Sequence, residues 1–369
     1  LTLLPRYGER ALSDLLPSVL GALGVAGEQN GMQLPAASRY CVVLIDALGW
    51  NLLKRHPAQA PFLSSLTGSP ITCGLPSTTA TSLTSLGTGL PPGRHGVLGY
   101  TTRVPGGSEI FNALKWEPAI DPATYQPYPG LFERAHRAGI ATSVLGERRF
   151  RESGLTNAAL RGPFRAADTY GERVAAAVDA VAQSEPALVY VYDSALDKTG
   201  HQSGCESAAW RHQLVMVDRF CEELHDSLPP DTVLLVTGDH GMVDVPRGQR
   251  IDVDDHAELR DGVELVAGEA RFRHVYVSDG AADDVAASWQ GFLGDGRAQV
   301  LTREAAIAAG WFGAVENRVR DRIGDVVANV HGPCAVLRRS AFPVETKLVG
   351  LHGALTEDEL LVPLLVGRA

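Results

Sequence analysis

No C-x-x-C pair exists in the chain, and its five cysteines are odd in number. Cys41, Cys73, Cys205, Cys221 and Cys334 are widely spaced, which argues against both a thiolate zinc site and a disulfide framework. Cys41 opens an apolar run and reads as a buried small hydrophobe. A long Lys/Arg run is also missing, and the formal net charge is −10. Nucleic-acid binding through a basic face is therefore excluded from the expectations. No stretch reaches about 18 uninterrupted apolar residues, so no membrane span is expected. The opening segment LTLLPRYGERALSDLLPSVLGALG lacks a basic region followed by a clean apolar run. It does not read as a secretory signal, and a cytoplasmic location is the expectation. Internal repeats and low-complexity tracts are absent too. What remains is an ordinary globular composition, 45% hydrophobic and 21% charged over 369 residues. That length suits one large α/β domain, or a core carrying a smaller insertion.

CVVLID at 41–46 is a short continuous apolar run, the mark of a strand buried on both faces. ALVYVYD at 187–193 and TVLLVTGD at 232–239 repeat it. Between and beyond them lie helix-like segments at 131–140, 172–183 and 207–228. This alternation predicts a doubly wound, mostly parallel sheet flanked by helices. In such sheets ligands bind outside the carboxyl ends of the strands, and Asp46, Asp193 and Asp239 all fall on that edge. Residues 247–344 have a different texture, with charged turns, an alternating RFRHVYVS strand and two helical stretches. They are expected to form an inserted α+β cap, leaving residues 1–246 and 345–369 as the core.

Several residues on this edge have the chemistry of cation ligands. Asp197 and His201 are spaced i, i+4, so one helical turn puts a carboxylate and an imidazole on one face. Asp239 and His240 are adjacent at a strand end, flanked by Gly238 and Gly241, which would permit a sharp turn. Asp46 ends another strand, and His352 sits in LVGLHGAL late in the chain. Singly, each has an ordinary explanation: a strand-end aspartate usually caps a helix, and a lone histidine is usually structural. Jointly, the ordinary explanations require several coincidences on one edge of one sheet. Mixed imidazole and carboxylate ligands without thiolate suit Zn²⁺, with Mn²⁺ as the alternative. So many ligands exceed what one catalytic ion needs, and two ions about 3.5–4 Å apart would clamp an in-line displacement. Two divalent ions would also draw an anionic phosphate to an acidic protein.

GLPSTTATSLTSLGTGLPPGRHG at 74–96 is rich in hydroxyls and glycine. A helix starting within it would place Thr79 at an N-terminus, where amides and the dipole favour phosphate and an alkoxide. Ser77 and Thr78 are rival positions, and spacing does not choose among the three. Hydroxyl clusters before a helix commonly serve only as caps.

LIDALGW, PSTTATSLTSLGTGLPPGRHGV, DKTGHQSG, VTGDHGM and GLHGAL, in this order, resemble the alkaline phosphatase superfamily. The nucleotide pyrophosphatase/phosphodiesterase branch looks closest, over about residues 40–245 and 350–365. The resemblance implies a two-metal hydrolase of phosphate esters acting on a small ester or nucleotide. It implies Thr79 as nucleophile, one ion on Asp46, Thr79, Asp239 and His240, and another on Asp197, His201 and His352. A phosphothreonine intermediate follows from it. A phosphonate hydrolase or phosphomonoesterase could use the same ligands, and a non-catalytic phosphate- or metal-binding protein is the alternative of another class. Sulfatases need a C/S-x-P-x-R setting that Cys73 lacks. The branch usually has an asparagine after its HG(I/V) turn to contact a phosphate oxygen. Here Tyr100 takes that place, and Tyr100 or Asn112 is the expected substitute.

Overall fold

The computed structural model describes residues 3–369; Leu1 and Thr2, which open the expected core, lie outside the described residues. The three apolar runs are strands β1 (Arg39–Ile45), β5 (Ala187–Asp193) and β6 (Thr232–Gly238). With β2 (Thr67–Thr72), β3 (Ala141–Gly146), β4 (Phe164–Ala166) and β11 (Leu361–Arg368) they make a seven-stranded sheet ordered β2-β11-β6-β1-β5-β3-β4. Strand β11 runs antiparallel to both neighbours; the β6-β1-β5-β3-β4 pairs are parallel. The expected fold class, a mostly parallel α/β sheet flanked by helices, is the one observed.

Alternate strand residues feed two apolar layers, as the two-residue period of a strand requires. Val42, Leu44, Leu188, Tyr190 and Leu235 join Leu83 and Leu86 of helix α1 (Thr79–Thr88) on one face. Val43, Ile45, Val189, Val191 and Val236 face the other way. There they meet α3 (Tyr170–Ala182) and α5 (Ala208–Ser227) through Val181, Trp210, Leu214 and Phe220. Helix α2 (Leu131–Arg137) is three residues shorter than expected because the chain turns at Gly139, whose φ is +83°. Helix α4 (Ala195–Ser203) leaves β5 after a single intervening residue.

A second sheet, antiparallel throughout, contains β7 (Val263–Glu269), β8 (Phe272–Val277), β9 (Ala298–Thr302) and β10 (Val326–Val330), ordered β7-β8-β10-β9. Helix α6 (Ala282–Leu293) covers it through Val285, Trp289 and Leu293. Its other face is continuous with the main core, where Phe272, Trp311, Phe312 and Val327 are buried. Among the described residues no helix is long and apolar enough to cross a membrane.

Candidate metal centre and active site

Strand register sets the site. Ile45 is paired with Asp193 on one side and with Gly238 on the other, so β1, β5 and β6 end at one level. Asp46 and Asp239 are each one step beyond that level on neighbouring strands. Ala47 adopts φ +61°, a region that costs a residue with a side chain, and its N–H donates to Asp239 Oδ1 at 3.0 Å. Asp46 therefore caps no helix; the next helix begins at Trp50 with Gly49 as its cap. The glycines beside the Asp239-His240 pair serve a different purpose from the one expected. Neither has positive φ. Each is needed for space: a Cβ on Gly238 would sit 2.3 Å from the Leu48 carbonyl oxygen, and one on Gly241 1.9 Å from that of Asp358.

Asp197 and His201 share a face of α4, with His201 Nε2 3.3 Å from Asp197 Oδ1. Asp193 is not a ligand candidate. Buried Arg173 pairs with it, and its Oδ1 accepts from the Ala195 N–H at the start of α4. His352 arrives through a two-residue antiparallel ladder, Gly350 with Asp244 and Leu351 with Val243. Its ring stacks on His240 at 3.7 Å between centroids. The chain thus assembles two ligand groups side by side. Asp46, Asp239 and His240 form one, and Asp197, His201 and His352 form the other, with ligand atoms in each within 4.8 Å of one another.

The three hydroxyls left open by the sequence have distinct partners. Ser77 Oγ donates to the Ala354 carbonyl at 2.9 Å. Thr78 is the buried cap of α1, and its hydroxyl faces Glu269. Thr79 Oγ1 alone of the three lies between Asp46 Oδ1, at 3.4 Å, and His240 Nε2, at 3.3 Å. Thr79 also lines a cleft of about 470 Å³ with Asp46, Asp197 and His201.

Tyr100 and Asn112 are not in this arrangement, and neither lines the cleft. The Tyr100 hydroxyl donates to Glu345, and Asn112 Oδ1 accepts from the N–H groups of Leu114 and Lys115 at 3.0 Å. The Tyr100 hydroxyl and the Asn112 carbonyl oxygen are thus engaged locally, away from the cleft that Thr79 lines.

The donor set fits divalent cations on observations internal to the site. His201, His240 and His352 each direct Nδ1 at a backbone carbonyl, those of Gly350, Gly241 and Ser77, at 2.8, 2.9 and 2.9 Å. A carbonyl only accepts, so Nδ1 carries hydrogen and Nε2 is left for the site, as metal-bound imidazoles require. Asp197 Oδ1 and Asp239 Oδ2 are buried without a hydrogen-bond donor. Electrostatics agree. Burial and then the charge of Asp46 push Asp197 and Asp239 well above the usual carboxylate range. Burial would raise Asp46 too, but the hydrogen bond and charge of His240, aided by the Tyr192 hydroxyl, hold it low. Burial lowers His201 and, with the charge of His240, lowers His352 well below the ordinary value. His240 goes up to about 10: burial opposes its charge, and Asp239 and Asp46 outweigh burial. Three carboxyl groups thus crowd one imidazolium, and cations bound there would favour their ionised forms.

The family model described as type I phosphodiesterase / nucleotide pyrophosphatase matches residues 40–355. The chain belongs to that family. No curated protein sequence matches it. Solved structures with the same fold include murine ectonucleotide pyrophosphatase/phosphodiesterase 5, as an inactive threonine-to-alanine form in complex with AMP. That match has TM-score 0.71 and 19% identity, covering 89% of this chain and 87% of the other. The human protein of the same name gives TM-score 0.71 at 18% identity, with 89% and 87% coverage. At such identities the likeness speaks for the fold.

Tyr192, which holds Asp46, was not singled out by sequence. Its signal was available: Tyr190 and Tyr192 alternate on a strand ending at the ligand edge, so both face one side.

Proposed function

We propose that the protein is a metal-dependent phosphodiesterase of the nucleotide pyrophosphatase type, with Thr79 as nucleophile. The observation that carries this reading is the Thr79 hydroxyl, set at the first residue of α1 between Asp46 and His240 and open to the cleft. Asp46, Thr79, Asp239 and His240 would hold one cation, and Asp197, His201 and His352 a second. Bound there, Zn²⁺ (with Mn²⁺ as the alternative) would lower the hydroxyl pKa and offset charge on the phosphate.

The chain's own groups account for the rest. Asp46 Oδ1 orients the hydroxyl, and Tyr192 holds that carboxylate in place through its other oxygen. The amides of the first turn of α1 present partial positive charge to a phosphate. Thr79 Oγ1, its proton passed to solvent, forms a bond to phosphorus as the ester oxygen leaves with its electron pair and takes a proton back from solvent. A water oxygen then displaces Thr79 from the phosphothreonine, releasing a monoester and restoring the hydroxyl. The murine relative, inactive as a threonine-to-alanine form and complexed with AMP, supports both a threonine nucleophile and a nucleotide-like substrate. Residues 247–344 are read as a cap packed against the core that carries this site. A cytoplasmic location remains the reading on five buried, unpaired cysteines, whereas the murine and human relatives are named as ecto-enzymes.

The test compares wild type and Thr79→Ala on bis(p-nitrophenyl) phosphate and p-nitrophenyl phosphate, with metal content measured on the same samples. Wild type should prefer the diester. The variant should lose at least about 10³-fold in kcat, the scale on which removing a nucleophile acts, while keeping a folded structure. Undiminished turnover in Thr79→Ala would refute the assignment, and a preference for the monoester would move the substrate class.

A further inference from the structure

Arg271 and Glu359 are wholly buried and bound to each other through two parallel hydrogen bonds of 2.8 and 2.7 Å. Arg271 stands between β7 and β8 of the second sheet, and Glu359 just before β11 of the main sheet. A buried ion pair is weak evidence of stabilisation, since dehydrating two charges offsets most of their attraction. Its other contacts show what it holds. Arg271 Nη1 also donates to the carbonyls of Gly332 and Cys334, and Nη2 to that of Val330, which uses up its remaining donors on backbone.

Glu359 faces the loop of His352. Its Oε1 accepts from the Ala354 N–H at 3.1 Å, and its Oε2 from the Thr356 hydroxyl. Ala354 in turn accepts from Ser77 Oγ, and Ser77 offers its own carbonyl to His352 Nδ1. The backbone carbonyl of Glu359 accepts from the Gly241 N–H at 2.8 Å, beside His240. One residue is thus tied by its side chain to the loop bearing His352 and by its main chain to the turn bearing His240.

We propose that the Arg271–Glu359 pair is a positioning device through which the second sheet fixes His352 for cation binding. This rests on the metal-site reading above, and assigns a task to residues that touch neither substrate nor cation. A carboxylate with both oxygens hydrogen-bonded along the loop sets its backbone path, and the guanidinium locks the carboxylate in its plane. Neutralising the side chain should loosen the His352 loop and leave the Gly241 contact, made by backbone, intact.

The experiment titrates zinc into metal-stripped wild type and Glu359→Gln by calorimetry. One of the two binding steps should weaken by about 10–100-fold, the range for residues that orient metal ligands, and the other should stay within twofold. His352→Ala identifies the affected step. Because a broken buried pair can compromise folding, Arg271→Met/Glu359→Met is run alongside, with apolar side chains of similar length filling the space. Arg303→Met removes the Arg303–Asp325 pair of the second sheet instead and controls for general destabilisation. Selective weakening of the His352 step in either Glu359 variant, absent from Arg303→Met, supports the proposal. Equal weakening of both steps, or two unchanged steps in a folded variant, overturns it. Absence of zinc binding in wild type would instead defeat the metal-site reading itself.

Discussion

Each histidine of the site spends its Nδ1 hydrogen on a backbone carbonyl, so only Nε2 is left to exchange a proton for a cation. His240 is the one held protonated, at about 10, and it must release that proton before it can serve as a ligand. Zinc affinity of the metal-stripped protein should therefore rise with pH across the neutral range, with proton release on binding. Calorimetric titrations in buffers of different ionisation enthalpy measure the protons directly, and a null count would contradict the assignment. The stability effect has the same origin. A histidine whose folded pKa is raised adds stability that is full below its unfolded value of 6.5 and lost as pH rises through about 10. Metal-stripped protein should accordingly lose Tm over that window, and zinc-loaded protein should be less sensitive. The aspartates and histidines were legible because several residues of cation-ligand type fall together on one edge of one sheet. The surroundings of Tyr100 and Asn112 were not legible, because order along the chain does not say which polar atom is already engaged, here the Tyr100 hydroxyl by Glu345 and the Asn112 carbonyl oxygen by a local turn.

Apolar runs announced strands β1, β5 and β6, and their common register is what aligns Asp46 with Asp239. The ladder between Val243–Asp244 and Gly350–Leu351 had no such signal, being two residues long and joining segments over a hundred residues apart. It is nonetheless the element that brings His352 to the site. The same turn is closely packed: Gly241 lies against the Asp358 carbonyl. Gly241→Ala forces backbone apart at this point, and is expected to cost about 1–3 kcal/mol and to weaken zinc binding. Thermal denaturation and zinc titration check it; a variant with wild-type Tm and affinity would show that the turn has slack.

At the scale of the molecule, the chain is acidic, and its two sheets share one continuous apolar core. The alternation of strands and helices made the main sheet readable, but not that its antiparallel member would lie between β2 and β6. Strand β11 hydrogen-bonds to both. A chain stopped after Leu360 would leave two unpaired strand edges, one of them the fully buried β6. It should be recovered as aggregate, which the soluble fraction on expression would report.

That placement also orders events in time. A ribosome releases β11 after every other strand of the sheet, and His352 only shortly before it. During synthesis the nascent chain can shape β1, β5 and α4, with their aspartates in place, yet the centre of its sheet stays open. Closing the sheet and supplying the third member of the Asp197–His201–His352 group thus both await the same late stretch of chain.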